Sequence, residues 1–131
     1  MKTHLLYSFL QRNDYLLIVG IIALTLVTLT LTLVPAEMLS QNKIWSYDKV
    51  GHMLLFGGWT LLLGLYHNIS QQNTTNFWII FIIGLSFGIL IELLQYSLPS
   101  INRHADIYDV LFDAIGCLVA IFVLKKVIPE K

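Results

Sequence analysis

Residues 15–34 read YLLIVGIIALTLVTLTLTLV, twenty consecutive positions without a charge. At 1.5 Å per residue a helix of that length covers about 30 Å, the thickness of a bilayer hydrocarbon core. Backbone polar groups in lipid must be bonded within the segment, so the stretch predicts a membrane-crossing helix. Its β-branched residues would also suit strands, but barrel strands alternate in polarity and run about ten residues. A secretory signal fits less well, because such signals carry about 7–15 apolar residues, and Pro35-Ala36-Glu37 offers no small-x-small cleavage site.

Working outward, further apolar runs predict spans at 50–66, 77–98 and 106–124. The expected fold class is all-α, a four-helix transmembrane bundle forming one domain over residues 1–131. Composition agrees: 56% of residues are hydrophobic and only 12% charged, against about 25% charged in soluble domains. A formal net charge of zero leaves no basic surface for nucleic acid, which is excluded as a partner. The one cysteine, Cys117, lies in an apolar run and reads as packing. Short connections at 36–49, 68–76 and 99–105 leave no room for a second domain.

Lys and Arg set orientation, since cytoplasmic flanks carry the excess. Four spans put both termini on one side, with Lys2, Arg12, Lys125, Lys126 and Lys131, against Lys43, Lys49 and Arg103 on the other. Both termini are therefore expected in the cytoplasm. Trp45, Tyr47, Trp78, Tyr96 and Tyr108 fall near span ends, where amphipathic rings favour the interface.

The polar residues are placed by the same order of spans. Asp48, Lys49 and His52 open the second span, Glu92 and Gln95 close the third, and Arg103, Asp106, Asp109 and Asp113 open the fourth. All nine must meet one membrane face. Asp48 and His52 are four apart, Glu92 and Gln95 three apart, and Asp106, Asp109 and Asp113 follow at three and seven, so each set shares a helix face. Asp113 lies roughly 10 Å deeper than Asp106. A carboxylate at that depth costs on the order of 2.5–3.5 kcal/mol on insertion scales unless it faces the bundle interior and finds a partner.

Structural duties account for part of this set. Asp48 and Asp106 suit helix caps, Lys49 and Arg103 suit interfacial anchors, and His52 alone suits an interhelical hydrogen bond. Glu92 and Asp113 are the harder pair to explain structurally, short of an ion pair with Arg103 or Lys49. Five carboxylates face two obligate cations, so either some carboxyls are neutral or a proton, a divalent cation or a cationic ligand joins them. Carboxylates with one histidine suit several divalent ions, but the spacing matches no closed metal motif.

Asp48-Lys49-Val50-Gly51-His52, then Glu92-Leu93-Leu94-Gln95, then Arg103 followed by Asp109, Asp113 and Gly116, resembles the VanZ-like family of small bacterial membrane proteins. The blocks stand in the family's order over about half the chain. One departure is Asp113, where the family usually has asparagine; a carboxyl imitates an amide donor only when protonated. The resemblance implies a bacterial cytoplasmic membrane protein and, through the member that names the family, an association with resistance to teicoplanin, which acts on cell-wall precursors outside that membrane.

Three functions are compatible with these residues. The first is a binding or envelope-modifying protein whose outward pocket engages a lipid-linked or phosphate-bearing cell-wall precursor. In it Lys49 and Arg103 grip an anionic head group, and His52, Glu92, Gln95, Asp109 and Asp113 complete the ligand-binding set. The second is an enzyme on such a lipid, with His52, Glu92 or Asp109 as acid, base or metal ligand; Ser97 and Ser100 lie near, without triad-like spacing. The third, proton or ion movement, needs a path across the membrane, and Thr25, Thr28, Thr30 and Thr32 are the only candidates on the first span.

The charge count makes a testable prediction about topology. Cysteines placed at 49 and 103 in a Cys117→Ser background should react with a membrane-impermeant thiol reagent on intact cells. Labelling only after permeabilisation would invert the assignment.

Overall fold

The computed structural model describes residues 2–39, 48–71 and 74–128. Among them every element is helical: α1 (Lys2–Arg12), α2 (Tyr15–Leu33), α3 (Ala36–Leu39), α4 (Asp48–Ser70), α5 (Phe77–Ser97) and α6 (Ile107–Val127), with a 3-10 turn at Pro99–Ile101. Trp45, Tyr47 and Lys43 fall outside the described residues. Three helices, α2, α5 and α6, are long and apolar enough to cross a membrane, which makes this a membrane protein.

The boundaries have local causes. Val34 is extended ahead of Pro35, which disfavours helix in the residue before it, and α2 stops there. Asn76 caps α5 by accepting from the Trp78 N–H at 3.0 Å, and Asp106 caps α6 by accepting from the Tyr108 N–H at 2.8 Å. Asn102 ends the 3-10 turn in the left-handed region at φ 50°, a conformation asparagine tolerates better than most residues.

The expected count of four helices is exceeded. Lys2–Arg12 forms an additional helix, because its short apolar set (Leu5, Leu6, Phe9, Leu10) is broken by polar residues and escapes a search for unbroken runs. Its Tyr7 is buried and donates to Asn68 Oδ1 at the far end of α4, while Asn68 Nδ2 donates to Thr75 Oγ1 at 2.9 Å.

The expected span at 50–66 lies inside α4, which has 23 residues but carries Asp48, Lys49, His52, His67 and Asn68, too polar to join the three apolar helices. The reason is its position. α4 packs against α2, α5 and most extensively α6, and its buried residues His52, Phe56, Thr60, Gly64 and Asn68 recur every fourth position along one face. A helix sheathed by protein tolerates polar side chains that lipid would not. The outer helices show the reverse profile, with Val19, Ile22, Leu26, Ile82, Leu90, Leu93, Leu118 and Phe122 exposed, as befits surfaces facing acyl chains. Trp78, Tyr96 and Tyr108 are exposed at helix ends.

Small residues set the distance between helices. A Cβ on Gly116 would stand 2.2 Å from the Met53 carbonyl oxygen, and one on Gly57 would stand 2.9 Å from the Gly116 oxygen, so α4 and α6 touch backbone to backbone. Gly84 receives Thr60 and Cys117, whose Oγ1 and Sγ lie 3.2 Å apart.

Gly116→Ala should lower the melting temperature in detergent, since the methyl meets backbone that cannot rotate away; overpacking of this kind costs about 1–3 kcal/mol. Gly51→Ala, whose Cβ meets nothing within 4 Å, should leave the midpoint unchanged or raise it. Equal effects at both positions would contradict the close α4–α6 contact.

Candidate functional site

At the end of the bundle where α4 and α6 begin and α5 ends, the nine polar residues come together. Each arrives by helical spacing: Asp48, Lys49 and His52 from the first turns of α4, Asp109 and Asp113 from the first two turns of α6, and Glu92 and Gln95 from the last turns of α5. Arg103 and Asp106 come from the α5–α6 connection.

The site has an exposed rim and a buried floor. At the rim Lys49, 42% exposed in its side chain, donates to Asp106 Oδ2 at 2.9 Å and to Asp109 Oδ1 at 3.0 Å. Asp106 is also partly exposed; the Lys49 ammonium, followed by the Tyr108 N–H, holds its carboxyl below the usual carboxylate range. Arg103 donates through Nη1 to the carbonyls of Leu31 at 2.9 Å and Thr32 at 3.2 Å, and its Nη2 stands 3.8 Å from Asp48 Oδ1. Gln95 Nε2 reaches the same Thr32 oxygen at 2.9 Å.

Deeper in, His52 Nδ1 and Asp113 Oδ1 share a hydrogen bond of 3.0 Å, and His52 Nε2 is turned to Asp109 Oδ2 at 3.8 Å. Asp113 has no exposed surface and His52 only 5%. Glu92, also 5% exposed, accepts the Asp106 backbone N–H at 2.9 Å through Oε2. Two oxygens here, Glu92 Oε1 and Asp113 Oδ2, are buried without a hydrogen-bond partner. Gly88 leaves room for Asp113: a Cβ there would be 2.5 Å from Oδ2. An aromatic layer closes the floor, with His52 stacked on Phe56 (centroids 5.7 Å apart), Phe56 against Phe87 (5.2 Å) and Phe87 against Trp59 (4.8 Å).

The pairing departs from simple charge matching. Neither Glu92 nor Asp113 forms an ion pair with Lys49 or Arg103 among the described residues; Asp113 goes to the histidine and Glu92 to a backbone amide. The contribution of α2 was not visible in side chains, because it offers peptide carbonyls. The available signal was Pro35, which ends the helix and leaves its last carbonyls without N–H partners. Of the threonines, Thr25, Thr30 and Thr32 bond to carbonyls of their own helix at 2.6–2.8 Å, as does Ser97 to Leu93 at 2.7 Å. Only Thr28 Oγ1 is left buried without a partner on α2, so among the described residues no run of free hydroxyls follows that helix, and the Ser97 hydroxyl is turned to its own helix. For a metal, Asp48, His52 and Asp109 each offer one ligand atom, all within 4.8 Å of one another.

The VanZ/LLP1 family model matches residues 17–128. No curated protein and no solved structure matches the chain.

Because the carboxyl of Asp106 is depressed, its pairing favours the folded chain above the ordinary carboxylate range, and the effect is lost as pH falls through the lowered midpoint. The 13C carboxyl resonance of Asp106 should therefore titrate below that of a free aspartate, and Lys49→Met should move it back up. An unchanged midpoint in that variant would mean the ammonium is not its cause.

Proposed function

This chain belongs to the VanZ-like family, and on that premise we propose that it crosses the bacterial cytoplasmic membrane four times, through α2, α4, α5 and α6, as one domain. Both termini then lie in the cytoplasm, and the polar end of the bundle faces outward. There it engages the head group of a lipid-linked or phosphate-bearing envelope component.

The observation that carries this reading is the mixed rim. Asp48, Lys49 and Asp106 are partly exposed at the level where α4 and α6 begin, beside apolar helix faces suited to an acyl or prenyl chain. Asp48 and Asp106 suit the hydroxyl and amine donors of a sugar or peptide head group, and Lys49 is the cation positioned for a phosphate. Arg103 is engaged with α2, so its part is to hold the wall of the site. A link to glycopeptide susceptibility would follow if the bound component were a wall precursor.

A second reading, catalysis, draws on the His52–Asp113 hydrogen bond, since a base oriented by a carboxylate is a recurrent catalytic arrangement. It would act on the same lipid, with His52 activating a water molecule.

The test uses the full chain in phosphatidylcholine nanodiscs doped with a polyprenyl pyrophosphate or its sugar-bearing form. Binding should weaken by about 10–150-fold in Lys49→Gln, the loss expected for one charge-assisted hydrogen bond of about 1.5–3 kcal/mol. Asp109→Asn should bind the lipid and, on the catalytic reading alone, fail to turn it over. Binding that does not distinguish the doped lipid from phosphatidylcholine would sink both readings.

A further inference from the structure

We propose that Asp48, His52 and Asp109 form a binding site for one divalent transition-metal ion, with Asp113 orienting the histidine. Carboxylates alone do not make that case. Asp48 and Asp109 sit in the first turns of α4 and α6, where the positive end of each helix dipole already favours them. The histidine is what the dipole leaves unexplained.

In a neutral imidazole whose Nδ1–H donates to Asp113 Oδ1 at 3.0 Å, the lone pair lies on Nε2. That nitrogen belongs to a side chain only 6% exposed, points to Asp109 Oδ2, and at 3.8 Å is too far for a hydrogen bond. It has no other partner among the described residues. An acceptor lone pair and a carboxylate oxygen facing one another repel unless a proton or a metal ion lies between them, and the carboxylates around this pair suit the metal ion. Metal bonds to imidazole nitrogen and carboxylate oxygen run about 2.0–2.2 Å, so one ion fits between atoms 3.8 Å apart. Asp48, whose ligand atom lies within 4.8 Å of the others, completes the set by a small side-chain shift.

The outer partner is also in place. Ligating histidines typically donate their second N–H to a carboxylate or carbonyl, which fixes tautomer and ring plane, and Asp113 stands in that position. An ionised carboxylate at 113 accepts the imidazole proton and adds negative charge to the cation's surroundings. Two further observations agree. Glu92, which takes the Asp106 N–H through Oε2, keeps Oε1 buried without a partner. Five carboxylates around two obligate cations leave a negative excess that a divalent ion offsets. One nitrogen and two oxygens suit Zn2+, Mn2+ or Co2+ better than Ca2+ or Mg2+, which prefer all-oxygen sites. Three protein ligands leave room for water or for a head-group phosphate oxygen. The metal site stands on this chain's residues whether or not the lipid reading holds.

The experiment uses Co2+ alone, titrated into the tag-free full chain in detergent and followed by its visible d–d bands. One Co2+ per chain is expected, displaced by Zn2+. His52→Gln should abolish the bands while helicity by circular dichroism is retained, Asp113→Asn should weaken binding by about 10–100-fold, and His67→Gln should bind as the parent does. Should His52→Gln fail to fold, Asp48→Asn at the partly exposed rim reads the same loss. No bands at a large excess of Co2+, or equal bands in a folded His52→Gln or Asp48→Asn variant, would overturn the proposal.

Discussion

A carboxylate without any solvent exposure, Asp113, is the constraint around which this end of the bundle is arranged. An unpartnered charge at that depth is unfavourable by several kcal/mol, so a donor has to be brought to it from another helix. His52 on α4 is that donor, and reaching it requires α4 and α6 to approach closely. Gly57 and Gly116 permit the approach because neither carries a Cβ. The third helix must then leave space for the carboxyl, and it does so at Gly88. The aromatic layer below keeps the polar groups from opening into the apolar middle.

The cations are distributed by geometry more than by charge. Lys49 reaches two aspartates from the rim, and Arg103 turns its Nη1 to two peptide carbonyls. A planar guanidinium with five donors suits that task better than an ammonium would. The interior is therefore left to groups that carry negative charge or can carry none: Asp109, Asp113 and Glu92 beside His52 and Gln95. Its chemistry is that of an acceptor-rich pocket.

Much of this was legible before the structure. The order of spans alone placed nine residues at one end, since a chain crossing back and forth returns the second, third and fourth helices to the same side. Helical spacing then selected the inward faces, and the capping role of Asp106 followed from its place before an apolar run. What stayed hidden depended on contacts that residue type does not encode. Glu92 takes a backbone N–H, and Arg103 and Gln95 take backbone carbonyls; any residue at 31, 32 or 106 would offer nearly the same group. The helix Lys2–Arg12 escaped notice because its hydrophobic face is short. α4 looked like an ordinary span in sequence, yet its polar positions require a sheath of other helices.

The way Arg103 and Gln95 hold α2 bears on how such a protein tolerates change. Both side chains grip peptide oxygens of Leu31 and Thr32, and a peptide oxygen is the same whatever side chain its residue carries. Substitutions along the end of α2 can therefore accumulate without loosening the attachment, provided the backbone stays helical, while a change at Arg103 or Gln95 releases it at once. The genetic burden of the contact falls on one side only.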